Sequence, residues 1–456
     1  MKTTGKRSLI LYILGAAFLF GIAVFLYGFA TKGGMWAVQP FNKYITTGVS
    51  SQGKILDRNG VVLAESKRGK RVYNSDEVMR RAMLHAVGDT TGYISTGVQY
   101  NYRAELSGYN PVTGLVTPNG TVGGDNITLT LDSSLCKLAK EELGTRNGAA
   151  AIYNYSTGEM LCMVSTPDYD PENPPSDINT NDNYKGAYLN KVMSSQYTPG
   201  SIFKVVTSAA AIENISGLDS RTWNCSGSIT VNGNKITDIR AYGKLHFKDA
   251  LAKSSNVAFS EIAMELGTSK MSDEANAMGF NKSFDLDGIS AAKSVYNVDG
   301  AEKNELGWSG VGQYTDLVNP YHMLVLMGGI AGGGTPVKPY IIKEITTSLG
   351  TVVKKGSTET GTQLVESDTA SRLQQYMRYN VTSEYGDSVF PGLKVCAKTG
   401  TAEVGGGKKP NCWMVGYSLN EDTPLAFVVV VENQSYSIRS AGKIASALME
   451  AAAKIK

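Results

Sequence analysis

Histidine is nearly missing from this 456-residue chain, which holds only His85, His246 and His322. The three stand far apart with no HExxH pattern, and the cysteines form no CxxC pair, so neither supplies the spacing of a zinc site. No metal and no other cofactor is expected. The five cysteines, Cys136, Cys162, Cys225, Cys396 and Cys412, are odd in number and scattered. That excludes a disulfide framework and favours small buried hydrophobes. Cys396 and Cys412 fall on segments predicted to be neighbouring strands, and whether they pair depends on strand register. An excess of one charge is also missing: the formal net charge is +3, with no long Lys/Arg run. A nucleic-acid surface is therefore not expected. At 19% charged and 42% hydrophobic residues, the chain can bury a core and is not a disordered tail.

Long apolar runs are absent except one. From Ser8 to Thr31 there is no charge, and Leu9 to Ala30 is almost wholly apolar. As a helix this run spans about 33 Å, enough for a bilayer core. A cleaved signal peptide would have a shorter apolar region, of about 7–15 residues. Lys2, Lys6 and Arg7 precede the run, which predicts a cytoplasmic N-terminus, a single-pass anchor and an extracytoplasmic remainder.

The expected domains are a tail at 1–7, the anchor at 8–31, a small mostly-β module at 32–127 and a larger α+β domain at 128–456. In the module, Lys54 to Ala64 reads as strand, Asn59-Gly60 turn, strand. Ser133 is a plausible N-cap for a helix running to Leu143. Ala149 to Ser165 reads as a hairpin about Ser156-Thr-Gly158. Helical patterns fill most of 200–290 and 316–330, strands return at 393–398, 413–417 and 425–431, and a final helix covers 441–453. Strands at both ends with helices between predict one α+β domain whose sheet is assembled from distant segments.

The segment Tyr197-Thr-Pro-Gly-Ser201-Ile-Phe-Lys204 carries the chemistry. Ser201 falls in the first turn of a helix whose free N–H groups favour negative charge. Lys204, one turn on, can share its face. With no histidine nearby, Ser201 needs another base, and a lysine desolvated in an apolar site can lose its proton near neutral pH. Ser-x-x-Lys alone is a weak signal, since Ser51/Lys54, Ser134/Lys137, Ser290/Lys293 and Ser440/Lys443 share it. What separates Ser201 is the company of Ser254-Ser-Asn256 and Lys398-Thr-Gly400-Thr-Ala-Glu403 downstream.

That ordered triplet resembles the motifs of penicillin-binding proteins and serine β-lactamases. Gly53 to Gly60 is similar to the opening of the non-catalytic pedestal of class B penicillin-binding proteins. Thr157 to Ser165, Tyr197 to Gly200 and Lys398 to Glu403 are similar to their transpeptidase domain. The resemblance implies that Ser201 is the acyl-forming nucleophile and Lys204 its base, with Ser254 and Asn256 relaying the proton and holding the substrate amide. Lys398 would add positive potential. Thr399, Gly400 and Thr401 would bind substrate, the two threonines taking its terminal carboxylate and the Ser201 and Thr401 N–H groups forming an oxyanion hole. It implies a peptidoglycan D,D-transpeptidase acting on stem peptides, acylated by β-lactams, with a polytopic membrane glycan polymerase as partner. A D,D-carboxypeptidase or an idle sensor or scaffold is the alternative. The family's Gly-Gln-Gly appears here as Gly312-Gln-Tyr314, and its Thr-Pro-Leu-Gln helix start as Val318-Asn-Pro-Tyr-His322. His322 and His246 read as structural, and Gly405 to Lys409 as a hairpin tip.

Overall fold

The apolar run Leu425–Val431 is buried at every position, and so are Met160–Thr166 and Asn411–Ser418. Strands without an exposed face must be covered on both sides. They belong to an antiparallel five-stranded sheet, in the order Val395–Ala402, Asn411–Ser418, Leu425–Val431, Gly148–Asn154, Met160–Thr166. Helices Ser133–Leu143 and Ala441–Ala452 pack on each other and on this sheet. Pro320–Ala331, backed by Ser367–Asn380, covers it as well. Proline at the first turn of Pro320–Ala331 costs no hydrogen bond, and Asn319 caps it through the His322 N–H. The computed structural model describes residues 2–37, 52–109 and 123–455. Of the module expected at 32–127, residues 38–51 and 110–122 therefore lie outside the described residues.

Helix Lys2–Ala37 contains the only span among the described residues long and apolar enough to cross a membrane, Ser8–Ala30. Its apolar side chains from Leu9 to Phe29 are largely exposed, as lipid-facing residues must be. The module carries the expected Asn59-Gly60 turn, Gly60 taking φ +83° between Ile55–Leu56 and Val62–Lys67. It also holds short helices at Glu77–Ala82, Leu84–Val87, Val98–Asn101 and Arg103–Ser107.

Its six-stranded sheet runs Val352–Lys355, Ile342–Thr346, Asn126–Leu129, Ile55–Leu56, Val62–Lys67, Lys70–Tyr73. Two of these strands come from the segment assigned to the larger domain, so the chain returns to the module long after leaving it. One continuous hydrophobic cluster, from Ile55 to Ala452, joins both sheets.

Two local expectations are corrected. Asp132, not Ser133, caps Ser133–Leu143, its carboxylate accepting from the Leu135 N–H. The stretch read as helical between 200 and 290 contains two hairpins, Thr222–Cys225 with Gly243–His246 and Ser228–Val231 with Asn234–Thr237. Cys396 and Cys412 do lie on neighbouring strands, but Cys396 faces Tyr417 and Cys412 faces Thr401, so register keeps the thiols apart and both are free. His322, read as structural, is wholly buried between Phe280 and Phe284.

Candidate active site

Ser201 sits in a 3₁₀ turn, Gly200–Ile202, leading directly into helix Lys204–Asn214. Two glycines allow this. Gly200 has φ +55°, and a Cβ there would lie 2.5 Å from the Thr401 carbonyl oxygen. Gly312 has φ +81°, and a Cβ there would lie 2.0 Å from the Gly200 carbonyl oxygen. Only bare backbone lets the Lys-Thr-Gly strand, the serine turn and the Gly312 loop approach this closely. The Gly200 N–H donates to the Gly312 carbonyl at 2.8 Å, and Tyr197 and Val318 exchange two backbone bonds. Trp413 donates its indole N–H to the Thr198 carbonyl at 3.2 Å, fixing the turn from beneath.

Lys204 and Lys398 are both fully buried. The Lys204 amine lies within hydrogen-bond reach of Ser201 Oγ at 3.1 Å, Ser254 Oγ at 3.2 Å, the Ser254 carbonyl at 2.7 Å and Asn256 Oδ1 at 2.8 Å. Lys398 donates to Ser254 Oγ at 3.0 Å and to the Thr399 carbonyl at 2.9 Å. The Ser254 hydroxyl thus bridges two amines. Ser254 reaches that position with φ +56°, a conformation that costs a serine of order 1 kcal/mol and that surrounding structure must enforce. Burial first, and the neighbouring Lys398 charge second, hold the Lys204 amine well below its ordinary range. Burial lowers Lys398 to about 7. Two cations this close cannot both hold their protons cheaply, and one neutral amine is what a serine base requires.

A cleft of about 730 Å³ opens over this cluster. Ser201, Ser254, Asn256, Thr399 and Thr401 line it. Lys204, Lys398 and Gly400 lie behind its wall, fully buried or nearly so. All eight residues singled out from sequence therefore meet in one place. The two threonines, however, are already engaged. The Thr399 hydroxyl and N–H both bond the Tyr385 hydroxyl at 3.1 Å, and the Thr401 hydroxyl bonds Ser437 at 2.9 Å. Tyr385, Ser437 and Asp238 were invisible to the motif reading, because none sits at a motif spacing. Tyr314, at the third position of the Gly312 loop, lines the cleft with φ +75°, where a glycine would be unstrained.

Residues 148–450, about two thirds of the chain, match the family model described as the penicillin binding protein transpeptidase domain. Among curated proteins, the chain is 26% identical over 386 residues to peptidoglycan D,D-transpeptidase PbpA of Mycolicibacterium smegmatis, covering 77% of each chain. It is 25% identical over 453 residues to stage V sporulation protein D of Bacillus subtilis, covering 92% of this chain and 68% of that one. Among solved structures, a ceftriaxone acyl-enzyme complex of penicillin-binding protein A from M. tuberculosis superposes with a TM-score of 0.79 at 21% identity, covering 90% of this chain and 99% of that one. With the family model spanning most of the α+β domain and the serine, its two lysines and the Ser-x-Asn loop gathered in one cleft, the chain belongs to the penicillin-binding protein transpeptidase family.

Proposed function

We propose that this chain is a peptidoglycan D,D-transpeptidase working through a serine acyl-enzyme. One observation carries the reading: a buried, unprotonated-leaning Lys204 amine lies 3.1 Å from Ser201 Oγ, inside hydrogen-bond reach of the proton it must take. Ser201 Oγ attacks the carbonyl carbon of the penultimate D-alanine while its proton passes to Lys204. The negative oxygen is held by the Ser201 and Thr401 N–H groups, and loss of one such donor costs on the order of 3 kcal/mol in barrier height. As the C–N bond breaks, the proton reaches the leaving amine through Ser254 Oγ, which touches both lysines. D-Alanine departs. An acceptor amine from a neighbouring strand then attacks the acyl carbon, gives its proton back through the same relay and frees Ser201. β-Lactams acylate the same oxygen.

Thr399 and Thr401 receive the substrate carboxylate, exchanging their present bonds to Tyr385 and Ser437 for it. In this reading the N-terminus is cytoplasmic and the catalytic domain lies outside a bacterial membrane. The anchor and the 32–127 pedestal engage a polytopic glycan polymerase. Co-purification that survives exchange of the anchor for an unrelated one would remove the anchor from that contact. The central test is labelling with fluorescent penicillin. The native chain takes the label and Ser201→Ala does not; equal labelling of both would refute the assignment.

A further inference from the structure

Asp238 lies outside every motif and just beyond the hairpin strand Asn234–Thr237, yet its carboxylate reaches into the start of helix Asn256–Ala277. Oδ1 accepts from the backbone N–H of Asn256 at 2.5 Å and of Val257 at 3.1 Å. Oδ2 accepts from the Ser255 hydroxyl at 2.8 Å. Beside it, the Thr237 carbonyl accepts from Asn256 Nδ2 at 2.8 Å. With Nδ2 committed there, Asn256 Oδ1 is left facing the Lys204 amine at 2.8 Å. A single loop therefore fixes both the backbone and the amide orientation of Asn256. It satisfies the Asn256 and Val257 N–H groups at the start of a helix that runs to a break at Gly267, with a charge of the sign that the helix end favours.

The same loop runs on into the cleft. Ile239 is 93% exposed and lines the opening with Arg240, whose guanidinium stacks on Tyr242.

We propose that Asp238 is a positioning residue for the acylation step, holding Asn256 against Lys204 and opposing the Lys398 charge across the same amine. This rests on the reading of Ser201 as nucleophile and Lys204 as base. The charged and titratable groups facing Lys204 are Lys398 on the Lys-Thr-Gly strand, Asp238 on the hairpin loop and the Cys225 thiol behind Ser255. Ser201, Ser254, Asn256 and the Phe259 ring, 5.7 Å away, complete its surroundings and carry no charge. Of the charges, Lys398 disfavours a proton on Lys204 and Asp238 favours one. Removing the carboxylate's charge while keeping an acceptor should make Lys204 a weaker holder of its proton.

The acid limb of the acylation rate, which follows the loss of the neutral amine, should then move to lower pH.

The experiment measures fluorescent-penicillin acylation rates of the full chain in detergent from pH 5 to 9, for native protein, Ser201→Ala, Asp238→Asn and Asp238→Ala. Asp238→Asn retains an oxygen acceptor for the helix end and moves the acid limb down by roughly one pH unit. Asp238→Ala removes the cap and slows acylation on the order of tenfold at the optimum. Should Asp238→Ala fail to fold, Asp238→Asn alone decides through its pH profile. A limb that stays in place, with only the melting temperature lowered, assigns Asp238 a merely structural role and overturns the proposal. A native chain unlabelled at every pH overturns the underlying reading, and this one with it.

Discussion

The two sheets share one hydrophobic cluster but are built on opposite terms. In the five-stranded sheet, three of the five strands are buried at every position. In the six-stranded sheet, Val352–Lys355 is exposed throughout and Lys70–Tyr73 has no buried residue. A doubly covered sheet is rigid because every side chain on it is fixed by close packing. That suits the strand that carries Lys398, Thr399 and Thr401 to within hydrogen-bond reach of groups on two other elements. A half-open sheet tolerates solvent and sequence change, and here it serves a region that carries none of the reacting groups.

The sharpest way to break the comparison is to truncate one side chain in each sheet. Trp413 is wholly buried, packs edge-on against Tyr197 and donates to the Thr198 carbonyl. Trp413→Ala should destabilise the chain by about 3–5 kcal/mol. It should also slow penicillin acylation in whatever fraction stays folded, since the serine turn loses its floor. Val353 in the open sheet is 57% exposed. Val353→Ala should stay within about 0.5 kcal/mol of native and leave acylation unchanged. Thermal melting together with labelling rates checks both. Comparable losses at the two positions would mean that the sheets do not divide stability as their burial says.

The same contrast governs what could be read from sequence. Leu425–Val431 announced itself as a continuous apolar run because both of its faces are covered. The reacting residues were legible because acyl transfer by serine and lysine demands fixed residue types at fixed local spacings. The return of Ile342–Thr346 to pair with Asn126–Leu129 was not legible: a partner some two hundred residues away leaves no local periodicity. The two hairpins between Thr222 and His246 were masked by surrounding helical patterns. At the helix start near 133, Asp132 and Ser133 are both capping residues. The choice falls to tertiary contacts, because the Asp132 N–H pairs with the Leu161 carbonyl while Ser133 bonds Asp57. Asp238 was hidden for the same reason, since its partners at Ser255 to Val257 come together only in the fold.

A gentler test uses one histidine from each region. His85, in helix Leu84–Val87 of the module, and His322, in the catalytic core, are both fully buried, and burial depresses each to about 4. An unfolded chain binds a proton at each histidine near pH 6.5, and the folded chain does so only near 4. Between those values the unfolded state holds more protons, so stability is complete above pH 6.5 and falls as pH drops towards 4. The loss is up to roughly 3 kcal/mol per histidine. The two differ in how they are held. His322 accepts from Ser294 at Nδ1 and donates to the Met278 carbonyl at Nε2, while His85 donates to the Ala187 carbonyl and has no bond at Nδ1 among the described residues. Glutamine can keep one donor but cannot reproduce an aromatic ring bonded at both nitrogens. His85→Gln should therefore retain most of the stability at pH 7.5 and lessen the fall in melting temperature on going to pH 5. His322→Gln should lower the melting temperature already at pH 7.5. Melting curves of the full chain at the two pH values decide between these outcomes. An undiminished acid fall in His85→Gln would place the acid sensitivity outside the module's buried histidine.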